Sequence, residues 1–126
     1  MLTVGDLAMP PGSRVHLIGV GGIGMSALAA MLARRGYVVT GSDRSESPRL
    51  DALRTLGVHI GVPQVTGGAG DADLVVISSA IHEDNPELAD ARRRGLPVRH
   101  RADLLAALIA ELTKVAVAGT HGKTTT

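Results

Sequence analysis

The 126-residue sequence contains no cysteine, no tryptophan and no phenylalanine, and its one aromatic side chain is Tyr37. Without cysteine there is neither a disulfide framework nor a thiolate metal site. The near absence of aromatics argues against platforms on which single-stranded nucleic acid could stack. It also leaves the core to Val, Leu, Ile, Ala and Met, a set suited to a parallel sheet covered by helices on both faces. Charge of one sign is missing as well. The formal net charge is +1 at pH 7, so neither nucleic acid nor an anionic membrane is called for. No apolar run approaches the roughly 18 residues of a membrane-spanning helix. The segment Met1–Ser13 lacks a charged start and a long apolar run, so it reads as neither signal peptide nor anchor. The cytoplasm is the expected location. None of the histidines, His16, His59, His82, His100 and His121, stands four residues from another, which argues against a zinc site.

What is present is concentrated in Arg14–Gly24, RVHLIGVGGIG. Arg14–Ile18 has the length and composition of a strand. It runs into Gly19-Val20-Gly21-Gly22-Ile23-Gly24, a G-x-G-x-x-G motif, and a helical pattern follows. The order strand, glycine turn, helix is what gives this motif meaning. Gly19 would allow a tight turn, Gly21 a close approach of backbone N–H groups to a pyrophosphate, and Gly24 close packing of the helix on the strand. The helix N-terminus favours an anion. The alternative is a glycine turn that merely joins strand to helix.

The rest of the chain alternates strand and helix. Met1–Ser13 reads as a lead-in with room for one helical turn. A first helix starts near Gly22, with Ile23, Ala27, Leu28, Met31 and Leu32 on one face, and ends at Arg34-Arg35-Gly36. Strands are expected at Tyr37–Thr40, Val58–Ile60, Asp73–Ser78, Pro97–Arg99 and Lys114–Ala118. Helices are expected at Pro48–Leu56, Pro86–Arg94 and Ala102–Leu112, the last with Leu104, Leu105, Leu108 and Ile109 on one side. The pattern predicts a Rossmann-like, doubly wound α/β domain with a mostly parallel sheet. Its site should lie beyond the carboxyl ends of the strands, where Gly19–Gly24, Ser42-Asp43 and Ser78-Ser79 fall.

Asp43 stands about 20 residues past the glycine motif, where an acid can accept hydrogen bonds from ribose hydroxyls; it could also be a capping or turn residue. Ser78-Ser79 could meet phosphate or sugar oxygens, or form a serine turn. No G-x-S-x-G surrounds them, so a hydrolase is not indicated. His16 reads as a packed strand residue. Arg92-Arg93-Arg94, with Arg99 and Arg101, reads as a solvated helix end and loop, with steering of an anionic ligand as the alternative.

The second signal is the terminal GTHGKTTT. Gly122-Lys123-Thr124 reproduces the G-K-[ST] half of a phosphate-binding loop, in which backbone N–H groups surround phosphates, Lys123 reaches the terminal phosphates and the Thr124 hydroxyl meets Mg²⁺. The early glycine is Gly119, because position 117 is valine. No helix follows within the sequence, so the chain reads as part of a larger enzyme.

Together, GVGGIGMSALA, GSD at 41–43, SSAI at 78–81, NPEL at 85–88 and AGTHGKTTT resemble the amino-terminal part of the Mur ligases, and within them the alanine-adding branch. The resemblance covers Val15–Thr126. It implies that residues 1–112 form a domain binding the UDP part of UDP-N-acetylmuramic acid. Gly19, Gly21, Gly22, Ile23 and Gly24 would hold the diphosphate, Ser42 and Asp43 would border the uridine, and Ser78, Ser79, Ala80 and Ile81 would face the nucleotide sugar. Residues 113–126 would open a central domain whose Gly119, Thr120, His121, Gly122, Lys123, Thr124 and Thr125 bind ATP, with Thr124 on Mg²⁺ and Lys123 catalytic. The implied activity is ATP-dependent joining of L-alanine to the muramic carboxylate through an acyl phosphate, in peptidoglycan synthesis. The residues beyond Thr126 would be needed for it, so the chain alone is expected to lack ligase activity. Two alternatives remain at this point: a sibling ligase that attaches a recycled peptide to the same sugar, and an NAD-binding oxidoreductase domain.

Overall fold

In a parallel sheet covered on both sides, successive side chains must each find a core, one above and one below. Strand β3 (Arg14–Ile18) meets this demand and is buried at every residue but the first. In the computed structural model, which describes residues 1–124 and their side chains through Val117, β3 is the centre of a five-stranded sheet ordered β5-β4-β3-β6-β7. Its partners are β4 (Val38–Ser42), β5 (His59–Gly61), β6 (Leu74–Ile77) and β7 (Val98–His100), and every pairing is parallel. The register sets Val15 beside Val39 and Leu74. This is the doubly wound arrangement expected. The chain leaves β3 toward β4 and β5, then returns to β6 on the other side, so the order reverses between β3 and β6.

Alternation assigns the faces. Val15, Leu17, Val39, Leu74 and Val76 enter one core with α1 (Ile23–Arg34), α2 (Pro48–Thr55) and α4 (Arg101–Thr124). Ile18 and Val75 enter the other with Leu88 and Ala91 of α3 (Pro86–Arg93) and with Ala69 and Ala72. Asn85 starts α3 by accepting the N–H groups of Glu87 and Leu88, and Pro86 occupies the first turn.

Several expectations are corrected. Met1–Ser13 contains no helical turn: β1 (Leu2–Val4) and β2 (Leu7–Met9) pair as an antiparallel hairpin. Leu2, Val4 and Met9 are buried in the first core. Helix α1 buries Met25, Leu28, Ala29 and Leu32, while Ile23 is 76% exposed and Ala27 is exposed. The packed face is therefore rotated from the expected one, because Ile23 sits at the helix start and faces solvent. Strand β4 continues through Gly41 and Ser42, which pair with Leu17 and Ile18. In α4, Leu104, Ala107 and Leu108 are buried, whereas Leu105 and Ile109 are exposed.

The largest correction concerns Lys114–Ala118, expected as a strand and found within α4. A strand needs a neighbour to receive its N–H and C=O groups, whereas extending a helix satisfies them locally. The local preference of Val115 and Val117 for a strand yields, and both are exposed. The expected boundary at 112/113 thus falls inside α4. The expected phosphate loop is likewise helical in its described backbone, Gly119 to Thr124 falling within α4, while the side chains of Gly119, Thr120, His121, Gly122, Lys123 and Thr124, and all of Thr125, lie outside what the structure describes.

Two polar devices lock the layers together. The Tyr37 hydroxyl, buried, donates to the Met9 carbonyl at 2.6 Å and accepts the Leu2 N–H at 3.1 Å, clasping the hairpin to the start of β4. The second lies on the α3 face, where His16 takes its turn in the alternation. Its Nε2 is 2.7 Å from Glu87 Oε1 and its Nδ1 is 2.7 Å from Thr40 Oγ1. The Ser42 hydroxyl donates to the same Glu87 oxygen at 2.5 Å, and the Val65 N–H donates to Oε2 at 3.2 Å. His16 and Glu87 are 1% and 2% exposed, so this carboxylate survives burial only because donors surround it. Burial pushes the Glu87 carboxyl up, but the hydrogen bonds from His16, Ser42 and Val65 outweigh it and hold it below its ordinary value.

Tyr37→Phe should strip both hairpin contacts and leave a buried N–H and a buried carbonyl unpaired. We expect a loss of about 1–3 kcal/mol in urea unfolding. An unchanged midpoint would mean that the hairpin is held by its apolar residues alone. For Glu87 the sign follows from its lowered value: just below the ordinary glutamate value, the unfolded chain binds more protons than the folded one, so stability rises with pH there. The Glu87 contribution is complete above that range and is lost as pH falls through the folded value. Urea midpoints of the wild type and Glu87→Gln, measured from neutral to acid pH, should converge on acidification; parallel curves would contradict the burial of an ionised carboxylate.

Candidate functional site

The reversal of strand order opens a crevice beyond the carboxyl ends of β3, β4 and β6. A cleft of about 710 Å³ lies there. The glycine loop after β3 contributes Gly19, Gly22 and Gly24, the end of β4 contributes Asp43 and Arg44, and the turn after β6 contributes Ser78, Ser79, Ala80 and Ile81. Gln64, His82, Asp84, Asn85 and Arg101 complete the wall. Most residues expected from the sequence are therefore brought together.

The glycines do their work differently from expectation. Gly19 has φ +79°, a left-handed conformation that opens the turn, and its N–H is given to the Ser42 carbonyl at 2.8 Å. Gly21 makes room for Asp43: a Cβ there would lie 2.5 Å from Asp43 Oδ2. The Gly21 N–H donates to that same oxygen at 2.7 Å, while Oδ1 accepts the Arg44 N–H at 2.7 Å. Asp43 thus ties the loop to β4. Gly24 was expected to admit close packing on the strand, but a Cβ there would lie 3.0 Å from the Arg101 guanidinium. Its bareness accommodates a cation from α4.

Three expected residues do not line the cleft: Gly21, packed against Asp43, and two more. Ser42 is buried with its hydroxyl on Glu87, and Ile23 is exposed to solvent at the first position of α1. Their signal was positional, and position does not fix the direction of a side chain.

The electrostatics favour an anion. In the first turn of α1 the backbone N–H groups have no intrahelical acceptor. No acidic residue occupies that turn, and the nearest carboxylate, Asp43, meets the Gly21 N–H just before it. Three guanidinium groups stand about the cleft and its glycine loop. Arg44 and Arg101 line the cleft, and Arg49 Nη1 donates to the Gly21 carbonyl at 2.9 Å. Among the described residues none of the three is paired with a carboxylate. The reading of the basic run is corrected in part. Arg92 is bound to Glu83 at 2.7 Å, Arg93 and Arg94 are bound to Asp90, and Arg99 lies 3.5 Å from Asp6. These four are spent on the fold's own carboxylates, whereas Arg101 is left to the cleft. Arg44 and Arg49 were missed by sequence reasoning; their only signal was proximity to Asp43 and to the start of α2.

On the far wall, His100 Nδ1 accepts the Ala102 N–H at 3.1 Å, so the ring hydrogen sits on Nε2, 3.4 Å from the Ser79 hydroxyl oxygen. The described residues hold no cluster of three or more His, Asp or Glu side chains that could bind a metal. No described helix is long and apolar enough to cross a membrane.

Comparison with known proteins matches this chain to relatives. Residues 14–113 match the Mur ligase family, catalytic domain. A UDP-N-acetylmuramate–L-alanine ligase of Rubrobacter xylanophilus is 56% identical over 113 residues, covering 90% of this chain and 25% of the relative. The chain therefore spans about a quarter of the length of such curated relatives. Among solved structures, the UDP-N-acetylmuramate-alanine ligase of Thermotoga maritima superposes with a TM-score of 0.74 at 37% identity, covering 78% of this chain and 23% of that one. A murein peptide ligase of Psychrobacter arcticus superposes with a TM-score of 0.71 at 27% identity, covering 75% and 20%. None of these relatives is an oxidoreductase, and that alternative falls. A glycine loop, a helix N-terminus and three cations at the switch of a parallel sheet, matched over residues 14–113, make this chain a member of the Mur ligase family.

Proposed function

We propose that this chain is the nucleotide-sugar-binding part of a ligase that joins L-alanine to UDP-N-acetylmuramic acid, and that its cleft takes the UDP portion. The observation that carries the reading is that Arg44, Arg49 and Arg101 stand about the cleft and its glycine loop with no carboxylate partner among the described residues. A diphosphate brings two negative charges and several acceptor oxygens. Guanidinium groups recognise such oxygens in pairs, and backbone N–H groups add to them. Asp43 is already held by two backbone N–H groups, which leaves its remaining lone pairs for ribose hydroxyls at the rim. Ser79, with the His100 ring hydrogen directed at its oxygen, is set to donate its own hydroxyl hydrogen to a ligand.

The second half of the proposal rests on sequence. Gly119–Thr125 is the ATP loop, residues 113–126 are the start of the central domain, and Lys123 and the Thr124 hydroxyl on Mg²⁺ would neutralise charge during phosphoryl transfer. In the full reaction the muramic carboxylate is phosphorylated by ATP, and the amine of L-alanine then displaces phosphate to leave an amide. A peptide-adding ligase acting on the same sugar is the second reading, favoured by the likeness to the Psychrobacter arcticus structure. Among the solved structures the higher identity to the alanine ligase, 37% against 27%, supports the alanine-adding reading first.

Calorimetric titration of this chain should show binding of UDP-N-acetylmuramic acid in preference to NAD⁺ and ATP. Preference for NAD⁺ would overturn the assignment. Gly21→Val would force a side chain against Asp43 and should weaken the UDP-sugar by at least about tenfold. Lys123→Ala, remote from the cleft in the proposed two-site scheme, should leave that affinity within roughly twofold. In the longer ligase the same lysine change should damage turnover far more than UDP-sugar binding. Equal loss of both functions in either variant would refute the separation of the two sites.

A further inference from the structure

Glu87 is the one carboxylate among the described residues that is buried yet touches neither the cleft nor a guanidinium. Its contacts have a geometric consequence. Ser42, held on Oε1, immediately precedes Asp43 and Arg44, which form one wall of the cleft. Val65, held on Oε2, immediately follows Gln64, which stands on another part of the rim. Glu87 itself lies two residues past Asn85, which caps α3 and also lines the cleft. Two separate pieces of the wall thus adjoin residues bonded to a single carboxylate, and a third, Asn85, accepts the backbone N–H of the same residue. His16 fixes that carboxylate from β3, the strand that leads into the glycine loop.

The loop side is equally committed. A side chain at Gly68 would collide with the Glu87 carboxylate, so the turn carrying Val65 is packed directly against Oε2. With a neutral aliphatic side chain at 87, the Ser42 hydroxyl, the His16 Nε2–H and the Val65 N–H would all lose their acceptor at once.

We propose that Glu87 is the positioning residue of the nucleotide-sugar cleft: bridging Ser42 and Val65 from beneath, it sets the Asp43 and Gln64 walls at the spacing the ligand requires. The inference rests on the nucleotide-sugar reading above. Glu87 does not touch the ligand; it acts through the backbone of its two neighbours. Its role is therefore visible as a loss of affinity that exceeds any loss of global stability.

The test titrates the chain with UDP and with UDP-N-acetylmuramic acid, in the wild type and in Glu87→Gln, and follows amide hydrogen exchange in parallel. Glu87→Gln keeps the shape but removes the charge and one of the two acceptor oxygens. We expect the affinity for UDP-N-acetylmuramic acid to fall by about tenfold or more. The Val65 amide should lose more protection than the core amides of Leu17 and Leu74, which fall only by the loss of global stability seen in urea. A purely structural role would instead lower protection at all three alike and reduce affinity only in proportion. Wild-type affinity in Glu87→Gln, or a loss that merely tracks core protection, overturns the inference. Should Glu87→Gln fail to fold, Gly68→Ala gives the second reading, because it pushes the Glu87 carboxylate from the loop side while keeping its charge. Displacing the whole carboxylate should cost the same affinity, and unchanged affinity overturns the proposal. Failure of the wild type to bind either ligand would sink the nucleotide-sugar reading itself, whereas binding by the wild type with unaffected variants would sink only the role of Glu87.

Discussion

The rest of the molecule depends on β3 having a parallel neighbour on each side and a core on each face. A strand in that position cannot turn any side chain to water, so each residue past Arg14 must be apolar or fully satisfied. Four of its five residues are aliphatic or lead to the exposed end; the polar exception, His16, forces the buried network on the α3 side. The reversal of strand order at β3 opens the crevice, and the glycine loop that leaves β3 supplies its floor. Fold and site therefore share one origin.

Within the site, charge is divided by economy. The carboxylates Glu83 and Asp90 neutralise the arginines at the end of α3, and Asp43 is absorbed by backbone N–H groups. Among the described residues, the guanidinium groups of Arg44, Arg49 and Arg101 remain without a carboxylate partner. A nearly neutral chain can thus present a local anion site without the strong overall charge that would draw it to nucleic acid.

Much of this was legible in the sequence, for physical reasons that can be named. Repeated strand–helix alternation and the glycine motif determine the sheet and the side of it on which the cleft lies, and Gly19, Asp43, Ser78 and Ser79 fall where such a topology puts them. The direction of individual side chains was not legible. Ser42 and Asp43 are neighbours in a strand, so one must point inward when the other reaches the rim. The partner of Gly24 is Arg101, far away in sequence, and no local pattern announces such a contact. The hairpin at Leu2–Met9 was hidden because two three-residue strands are too short for a period to show. Lys114–Ala118 reads as a strand by composition alone, but composition is a weak prior beside the chance to continue an existing helix.

The scarcity of aromatic groups has an optical side. With Tyr37 as the only aromatic residue and no tryptophan, the chain is almost transparent where nucleotide bases absorb. Because the single phenol bridges Leu2 and Met9 in a buried clasp, any ultraviolet emission from the protein originates at the hairpin, far from any competing chromophore. The molecule carries its own reporter of amino-terminal docking, and a bound uridine would be seen against a dark background.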